Sequence, residues 1–261
     1  MLRNFLELKE RKNIDIDGKD RIKVHRDIIQ SKPIMLEVFT EMHDLFYKLD
    51  KKFFNTEGKR IELGAGAYPI KETYQNVISS DVVEGHDIDL VLDAMNMNIE
   101  PNSVRSLYAQ NVFHHFSDPR KFFSEANKVL AVGGGIIILD PFYGLVSSLI
   151  YPHISPNESF HKNQKNWEGS HTGPMKGANQ ALSYIIFNRD KKKFEKEFPD
   201  LKIVHHTIVN NYLRYFLSGG LNFKQLIPNF MNKPFKLIEY LLTPFSRIFA
   251  LHHVIVVKKC K

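Results

Sequence analysis

The chain has 261 residues, 43% of them hydrophobic and 25% charged, so it can bury a large core and is not a disordered polymer. Its single cysteine, Cys260, excludes a disulfide framework and a cysteine-based zinc site. The formal net charge of +7 weakly favours an anionic partner, but without a zinc finger, an RNA-binding signature or interleaved basic and aromatic residues we expect no nucleic-acid ligand.

Residues 1–57 are predicted to form a helical N-terminal extension, whose main helix covers 34–54. Its apolar residues recur at helical spacing: Val38, Met42, Leu45, Leu49 and Phe53. Residues 1–12 mix charged and apolar side chains, unlike the apolar core of a signal peptide. Nowhere does the chain have the ~18 consecutive apolar residues that span a bilayer. We therefore expect a cytoplasmic protein.

Short apolar runs alternate with helical stretches between residues 59 and 142, and most of the runs end at glycine, aspartate or asparagine. The predicted strands are 59–63, 77–80, 89–92, 104–112 and 135–139. A helix is predicted over 119–130, between the last two strands. Strands that are apolar on both faces and alternate with helices predict a buried parallel sheet covered by helices.

Residues 143–189 are predicted to form a lid or acceptor-binding insert, because so long an irregular connection inside a domain is typical of a functional lid. The elements predicted after it are a helix at 190–198, a strand at 201–209 and a last strand at 251–257. The apolar and basic stretch 230–249 has two interpretations. It could be a helix packed on the core, or a helix that lies on a membrane surface.

The residues at successive strand ends have the side chains that a nucleoside ligand needs, and ligands of open parallel sheets bind at that edge. Gly64 and Gly66 follow the first strand and let the backbone approach a ligand closely. Glu62, beside them, could bind a cationic amino group. Asp81, after the second strand, could accept hydrogen bonds from both ribose hydroxyls.

The third and fourth strand ends extend this series. Asp93 could accept a hydrogen bond from an adenine amino group while Met95 packs on the ring. Asn111 ends the fourth strand and is followed by His114 and His115. Each residue alone also has a plain structural interpretation as a cap, a turn residue or a surface side chain. Their occurrence in order, each at a strand end, favours one shared ligand.

Several motifs together resemble class I S-adenosylmethionine (SAM)-dependent methyltransferases, within these the type 11 branch that contains ubiquinone and small-molecule methyltransferases. The motifs are Glu62-Leu63-Gly64-Ala65-Gly66, Asp81, Leu92-Asp93-Ala94, Asn111 through Pro119 (NVFHHFSDP), and Gly133-Gly134. The resemblance covers about residues 58–142. It implies a Rossmann-like, doubly wound sheet of seven strands, six parallel and the last antiparallel, in a methyltransferase domain at 58–261.

The resemblance also implies SAM as the cofactor. With the strand-end analysis, it assigns the cofactor-binding residues as Glu62, Gly64, Ala65, Gly66, Asp81, Asp93, Ala94, Met95 and Asn111. The usual third glycine is replaced at Ala67-Tyr68. Only about ten residues separate Gly66 from Val77, so the first crossover helix must be very short and start near Pro69. More loosely, residues 177–190 and 217–220 are similar to methyltransferases associated with bacterial surface-polysaccharide biosynthesis.

Methyl transfer to a hydroxyl, the reaction we expect, would need a general base near the acceptor. The catalytic candidates are His115, Asp140 and His171, chosen from a wider set that includes His114, Tyr143, His153, Glu158 and His161. No ligand spacing such as HxxxH stands out, so no metal is predicted. The expected acceptor is a small molecule or a nucleotide- or lipid-linked glycan precursor, with 230–249 as a candidate peripheral membrane contact.

Two alternatives remain open on the sequence. The chain could bind SAM without transferring a methyl group. It could also be an NAD(P)-dependent oxidoreductase, which shares the glycine turn and a later acidic residue. An oxidoreductase predicts a third glycine where the chain has Pro69-Ile70-Lys71, and it does not account for Asp93 or the His114-His115 pair.

Overall fold

The computed structural model describes residues 6–8, 15, 17–18, 20–154, 158–169, 173 and 177–261. Within these ranges the strands are β1 Lys59–Leu63, β2 Val77–Asp81, β3 Leu90–Val91, β4 Val104–Gln110, β5 Leu130–Pro141, β6 Leu201–Val209 and β7 His252–Lys259. They form one sheet in the order β3-β2-β1-β4-β5-β7-β6. All neighbours pair in parallel except β7, which is antiparallel to both β5 and β6. The predicted sheet of six parallel strands with an antiparallel last strand is confirmed.

The helices of the described residues are α1 Asp20–Gln30, α2 Pro33–Phe53, α3 Pro119–Val129, α4 Leu145–Ile154, α5 Leu182–Tyr184, α6 Lys191–Glu197, α7 Tyr212–Leu217, α8 Asn232–Leu241 and α9 Ser246–Phe249. Single turns occur at Ile70–Glu72, Phe113–His115, Asn229–Met231 and Thr243–Phe245, and a π-turn at Ile185–Arg189. The stretch 230–249 is broken into short pieces because Pro244 cannot donate a helical hydrogen bond. No helix in the described part of the chain is long and apolar enough to cross a bilayer.

Helices cover both faces of the sheet. On one face, α2 buries an apolar stripe against the central strands, formed by Val38, Met42, Phe46 and Leu49. On the other, α3 contributes the fully buried side chains of Phe122, Phe123 and Ala126. Asp118 caps α3 by accepting hydrogen bonds from the backbone N–H groups of Arg120 and Lys121. The strand ends are thereby held between two packed layers.

Strand β5 begins five residues earlier than predicted, because residues before the glycine pair also join the sheet. Leu130 pairs with Val104, and the register then shifts so that Gly135 pairs with Ser106. Gly133 has a φ of +88° within this irregularity, a conformation that favours glycine. The Gly133-Gly134 pair is therefore part of a bulge inside a longer strand.

Candidate active site

The carboxyl ends of the first four strands line a cavity of about 500 Å³, here called the donor cavity. All nine sequence-predicted cofactor residues lie in its wall: Glu62, Gly64, Ala65, Gly66, Asp81, Asp93, Ala94, Met95 and Asn111. The N-terminal helix α1 adds Arg21, His25 and Ile29 to the same wall. The strand ends and α1 thus surround one space.

The two glycines of the turn after β1 are needed for different reasons. Gly64 has a φ of +59°, and a Cβ placed there would lie 2.3 Å from Cγ2 of Val112. Gly66 has a φ of +58°, but a Cβ there would find no atom nearer than 3.8 Å. The absence of a side chain at Gly64 therefore lets this turn pack closely against Val112. At Gly66 the space is open, as close approach by a ligand requires.

The carboxylate of Glu62 is buried next to the glycine turn and fixes the position of the backbone that follows it. Its Oε2 accepts a hydrogen bond of 2.6 Å from the backbone N–H of Ile70, in the single turn that replaces the first crossover helix. Burial raises the pKa of Glu62 to about 8, and the nearby charge of Asp81 acts in the same direction. A cationic group that enters the cavity would stabilise the charged form of Glu62 and lower its pKa again.

Asp81, at the end of β2, is held by three donors. Its Oδ1 accepts from Nη2 of Arg21 at 2.8 Å and from the N–H of Val83 at 3.2 Å. Its Oδ2 accepts from the N–H of Gly66 at 3.2 Å. These contacts orient the carboxylate at the cavity wall and supply a positive partner for its charge.

The third and fourth strand ends complete the donor cavity. Oδ1 of Asp93 accepts from the N–H of Met95 at 2.8 Å, which closes a tight turn and places Met95 in the wall. Asn111 has a φ of +53°, unusual for a residue other than glycine. Its side-chain oxygen is buried with no hydrogen-bond partner among the described residues. Such a group is a candidate to bind a ligand.

A second cavity of about 350 Å³, here called the acceptor cavity, adjoins the first. Five residues line both: His25, Asn111, His115, Tyr215 and Leu221. Most of the other lining side chains are aromatic or apolar, among them Tyr151, Phe216, Phe223, Leu226 and Leu251. Polar side chains gather where the two cavities meet, namely His114, Glu158 and Gln180. A mainly apolar pocket with a few convergent polar groups suits a small molecule.

His114 and Asp140 form a buried hydrogen-bonded pair behind this junction. Nδ1 of His114 lies 2.7 Å from Oδ1 of Asp140, which is fully buried on β5. Burial disfavours a charged imidazole, but the charge of Asp140 and its hydrogen bond outweigh this effect, so the pKa of His114 is raised. The carboxylate thereby fixes which ring nitrogen of His114 faces the cavity.

The three catalytic candidates from the sequence have different positions. His115 lies in the wall of both cavities. Asp140 lines neither, and its contact with the site runs through His114. His171 lies outside the described residues. Glu158 belongs only to the wider set of sequence candidates, but its carboxylate lies 3.7 Å from Nε2 of His115.

The strand order, the antiparallel last strand and the cavity at the strand ends are consistent with the Rossmann-like fold of methyltransferases. Residues 69–138 match a family model described as a methyltransferase domain. This match confirms the resemblance to class I SAM-dependent methyltransferases drawn from the motifs. A search of curated proteins finds no significant match.

The chain is similar to several solved methyltransferase structures at low sequence identity. A SAM-dependent methyltransferase from Archaeoglobus fulgidus is 14% identical, with a TM-score of 0.47 over 84% of this chain and 94% of that one. Phosphoethanolamine N-methyltransferase 2 from Haemonchus contortus, solved with phosphomonomethylethanolamine and S-adenosylhomocysteine (SAH), is 12% identical, with a TM-score of 0.48 over 99% and 60% of the two chains. A geranyl diphosphate C-methyltransferase from Streptomyces coelicolor A3(2) is 9% identical, with a TM-score of 0.46 over 84% and 77%. The acceptor must be inferred from this chain's own site.

Proposed function

We propose that the protein transfers a methyl group from SAM to a hydroxyl oxygen of a small molecule or glycan precursor. The observation that carries the proposal is the shared wall of the two cavities. Strand ends suited to SAM line one cavity, and His115 and Asn111 face both that cavity and its mainly apolar neighbour. Donor and acceptor could therefore meet at a histidine.

The donor cavity has the groups that SAM requires. The open space at Gly66 admits close approach to the backbone, and the buried carboxylate of Glu62 suits a cationic amino group. Asp81 presents a carboxylate for ribose hydroxyls, and Met95 presents a flexible apolar side chain for an aromatic base. The family match over residues 69–138 supports the same cofactor.

When bound, SAM supplies a methyl group already activated by its positive sulfur. The chain's residues then have to align an acceptor and remove its proton. Nε2 of His115 would accept the proton of the acceptor hydroxyl, while SAM would supply the methyl group and leave as SAH. Glu158, 3.7 Å away, would stabilise the resulting imidazolium.

Methyl transfer can be tested with tritium-labelled SAM, the purified protein and a cell extract that contains candidate acceptors. We expect label in an extract component, and His115→Gln should reduce the rate about 100-fold or more, as for a lost general base. The matched control, His153→Gln, changes an exposed histidine and should retain the rate. Binding of SAH without any transfer would instead favour the non-catalytic SAM-binding alternative, and binding of NADPH would favour the oxidoreductase.

An exposed apolar surface supports a lipid-linked acceptor and a position at an anionic membrane, in an otherwise cytoplasmic protein. The side chains of Phe230, Leu237, Tyr240, Leu241 and Phe245 are each more than half exposed, as are those of Leu145 and Leu149 on α4. Helix α9 begins directly after Phe245 and packs against α4, so the end of this exposed stretch lies beside α4. The same α4 carries Tyr151 into the acceptor cavity. Exposed Lys233 and Arg247 lie beside the apolar residues and suit anionic lipid headgroups.

Vesicle flotation tests this surface. The wild-type protein should float with vesicles that contain an anionic phospholipid and bind neutral phosphatidylcholine vesicles more weakly. Leu237→Glu with Leu241→Glu should abolish flotation. Val132→Glu, a control at an exposed apolar residue on β5, should not change it. No binding to anionic vesicles, or equal binding by the double variant, would contradict membrane contact through residues 230–249.

A further inference from the structure

Three side chains converge at the junction of the two cavities, namely those of His114, His115 and Glu158. Nε2 of His114 lies 3.8 Å from Oε2 of Glu158, and Nε2 of His115 lies 3.7 Å from Oε1. Both distances exceed the upper limit of about 3.2 Å for an N–H···O hydrogen bond. One ligand atom from each residue lies within 4.8 Å of the other two. Ligand atoms this close to one another could hold one metal ion.

We propose that His114, His115 and Glu158 bind one divalent transition-metal ion of the zinc class. Ligand atoms at about 2.1 Å from a tetrahedral zinc ion lie roughly 3.4 Å apart. The two nitrogen–oxygen separations of 3.7 and 3.8 Å therefore need to close by a few tenths of an ångström, and no separation in the cluster, at most 4.8 Å, needs to close by more than about 1.4 Å. Two imidazoles and one carboxylate are a known ligand set for catalytic zinc and for other divalent transition metals. Three protein ligands would leave a coordination position for water or substrate.

The groups behind these ligands have the arrangement that supports metal binding. Asp140 accepts the hydrogen bond of His114 Nδ1 at 2.7 Å, which directs the lone pair of Nε2 toward Glu158. Gln180, itself 4% exposed, donates from Nε2 to Oε2 of Glu158 and orients the carboxylate. Metal-binding histidines and carboxylates are usually fixed by outer hydrogen bonds of this kind.

The position of the ion suggests its use, and this part of the inference rests on the proposed function. The ion would lie beside His115, in the wall between donor and acceptor. An acceptor hydroxyl bound to the open coordination position would lose its proton to solvent at a lower pH than the free alcohol. The ion, rather than His115 acting alone as a base, would then prepare the oxygen for methyl transfer.

Metal binding can be measured without any assay of activity. The purified full-length protein is freed of metal with a chelator, dialysed against micromolar Zn²⁺ and analysed for bound zinc. We expect one ion per chain. His114→Gln, His115→Gln and Glu158→Gln should each weaken binding about 100-fold, whereas the exposed control variants His153→Gln and His161→Gln should bind as the wild type does. Circular dichroism of each metal-free variant checks that it folds.

Two further measurements separate a built site from incidental zinc binding. Co²⁺ added to the wild type should give the intense visible absorption of a tetrahedral site, absent in Glu158→Gln. Asp140→Asn should weaken zinc binding about 10- to 100-fold, because it removes a supporting hydrogen bond without removing a ligand. The proposal is overturned if folded wild type takes up no stoichiometric zinc, or if the three ligand variants bind it equally well.

The outcomes also distinguish this inference from the proposed function. A protein that binds one Zn²⁺ at these residues but transfers no methyl group keeps the metal site and loses the methyltransferase proposal. A protein that transfers methyl at an unchanged rate after complete removal of metal loses the catalytic role assigned to the ion. Loss of transfer on chelation and its return with Zn²⁺ or Co²⁺ would support both.

Discussion

Arg21 of α1 and Asp81 of β2 form a buried ion pair, with 2.8 Å between Nη2 and Oδ1 and side chains only 8% and 3% exposed. The pair ties the N-terminal helix to the carboxylate expected to bind ribose. Because α1 also places His25 and Ile29 in the donor cavity, this helix is part of the wall rather than a distant appendage. Cofactor binding should therefore affect α1 directly.

We expect SAH to slow backbone hydrogen exchange in α1, Asp20–Gln30, as well as at the strand ends. A ligand that contacts Asp81 stabilises the partner of Arg21 and fills the space beside Ile29, so local opening of α1 becomes less frequent. Hydrogen exchange followed by mass spectrometry, with and without SAH, measures this. The internal reference is α6, Lys191–Glu197, which lies outside the donor wall and should not change. Protection of the strand ends without any in α1 would contradict the predicted contact.

Asp81→Asn should weaken SAH binding by about 10- to 100-fold. The substitution keeps the shape of the side chain but replaces one acceptor oxygen with a donor and removes the charge, which costs hydrogen bonds worth about 1.5–3 kcal/mol each. Isothermal titration calorimetry measures the affinity. Asp27→Ala, an exposed acidic residue on α1, is the control and should leave it unchanged. Equal affinity of Asp81→Asn and wild type would refute the assigned ribose contact.

Alanine at the two turn glycines should separate folding from cofactor binding. At Gly64 a Cβ would overlap the Val112 side chain, so Gly64→Ala should lower the melting temperature markedly. At Gly66 the methyl group meets open space in the donor wall, so the cost in stability should be only about 1–2 kcal/mol, from the positive φ. Gly66→Ala should still lose at least tenfold in SAH affinity. Thermal unfolding and calorimetry on both variants check this contrast, which fails if Gly66→Ala binds SAH normally.

The sheet could be predicted because each of its strands has a recognisable pattern in the local sequence. The predicted strand bounds 59–63 and 201–209 agree with the structure, since each strand is a short apolar or alternating run with turn residues beside it. The early start of β5 could not be predicted, because its bulge depends on pairing with Val104. The packing of α1 on the donor cavity also had no local signal. Arg21 reads as an ordinary surface residue until Asp81, 60 positions away, is placed beside it.

The residues that line the donor cavity could be predicted from the sequence more readily than those that line the acceptor cavity. Donor residues sit at strand ends, where chain order and spatial order agree. The candidate metal ligands do not share an element, because His114 and His115 follow β4 whereas Glu158 lies in the segment after α4. Their spacing therefore resembles no metal motif. In the sequence, the adjacent pair His114-His115 is the feature that points to a metal site. The third candidate ligand, Glu158, comes next to this pair only in the tertiary fold.

The raised pKa of Glu62 should make stability fall with rising pH. Its folded-state value of about 8 lies above the 4.5 of an ordinary glutamate, so between these values the folded protein keeps a proton that the unfolded chain has released. The free energy of unfolding should decrease across this window, by on the order of 5 kcal/mol for this group. Glu62→Gln should remove that contribution. Urea unfolding at about pH 5, 7 and 8.5 would contradict this if wild type and variant showed the same pH slope.

The same group should couple cofactor binding to proton release. Near pH 7 Glu62 is mostly protonated in the free protein, because its pKa is about 8. The cationic amino group of SAM or SAH favours the charged carboxylate, so binding should expel up to one proton from the site. Calorimetric titration with SAH in two buffers of different ionisation enthalpy counts that proton. Glu62→Gln should release none, and the wild type should release progressively less as the pH rises above 8. A wild-type heat that does not depend on the buffer at pH 7 would show that Glu62 does not meet the amino group.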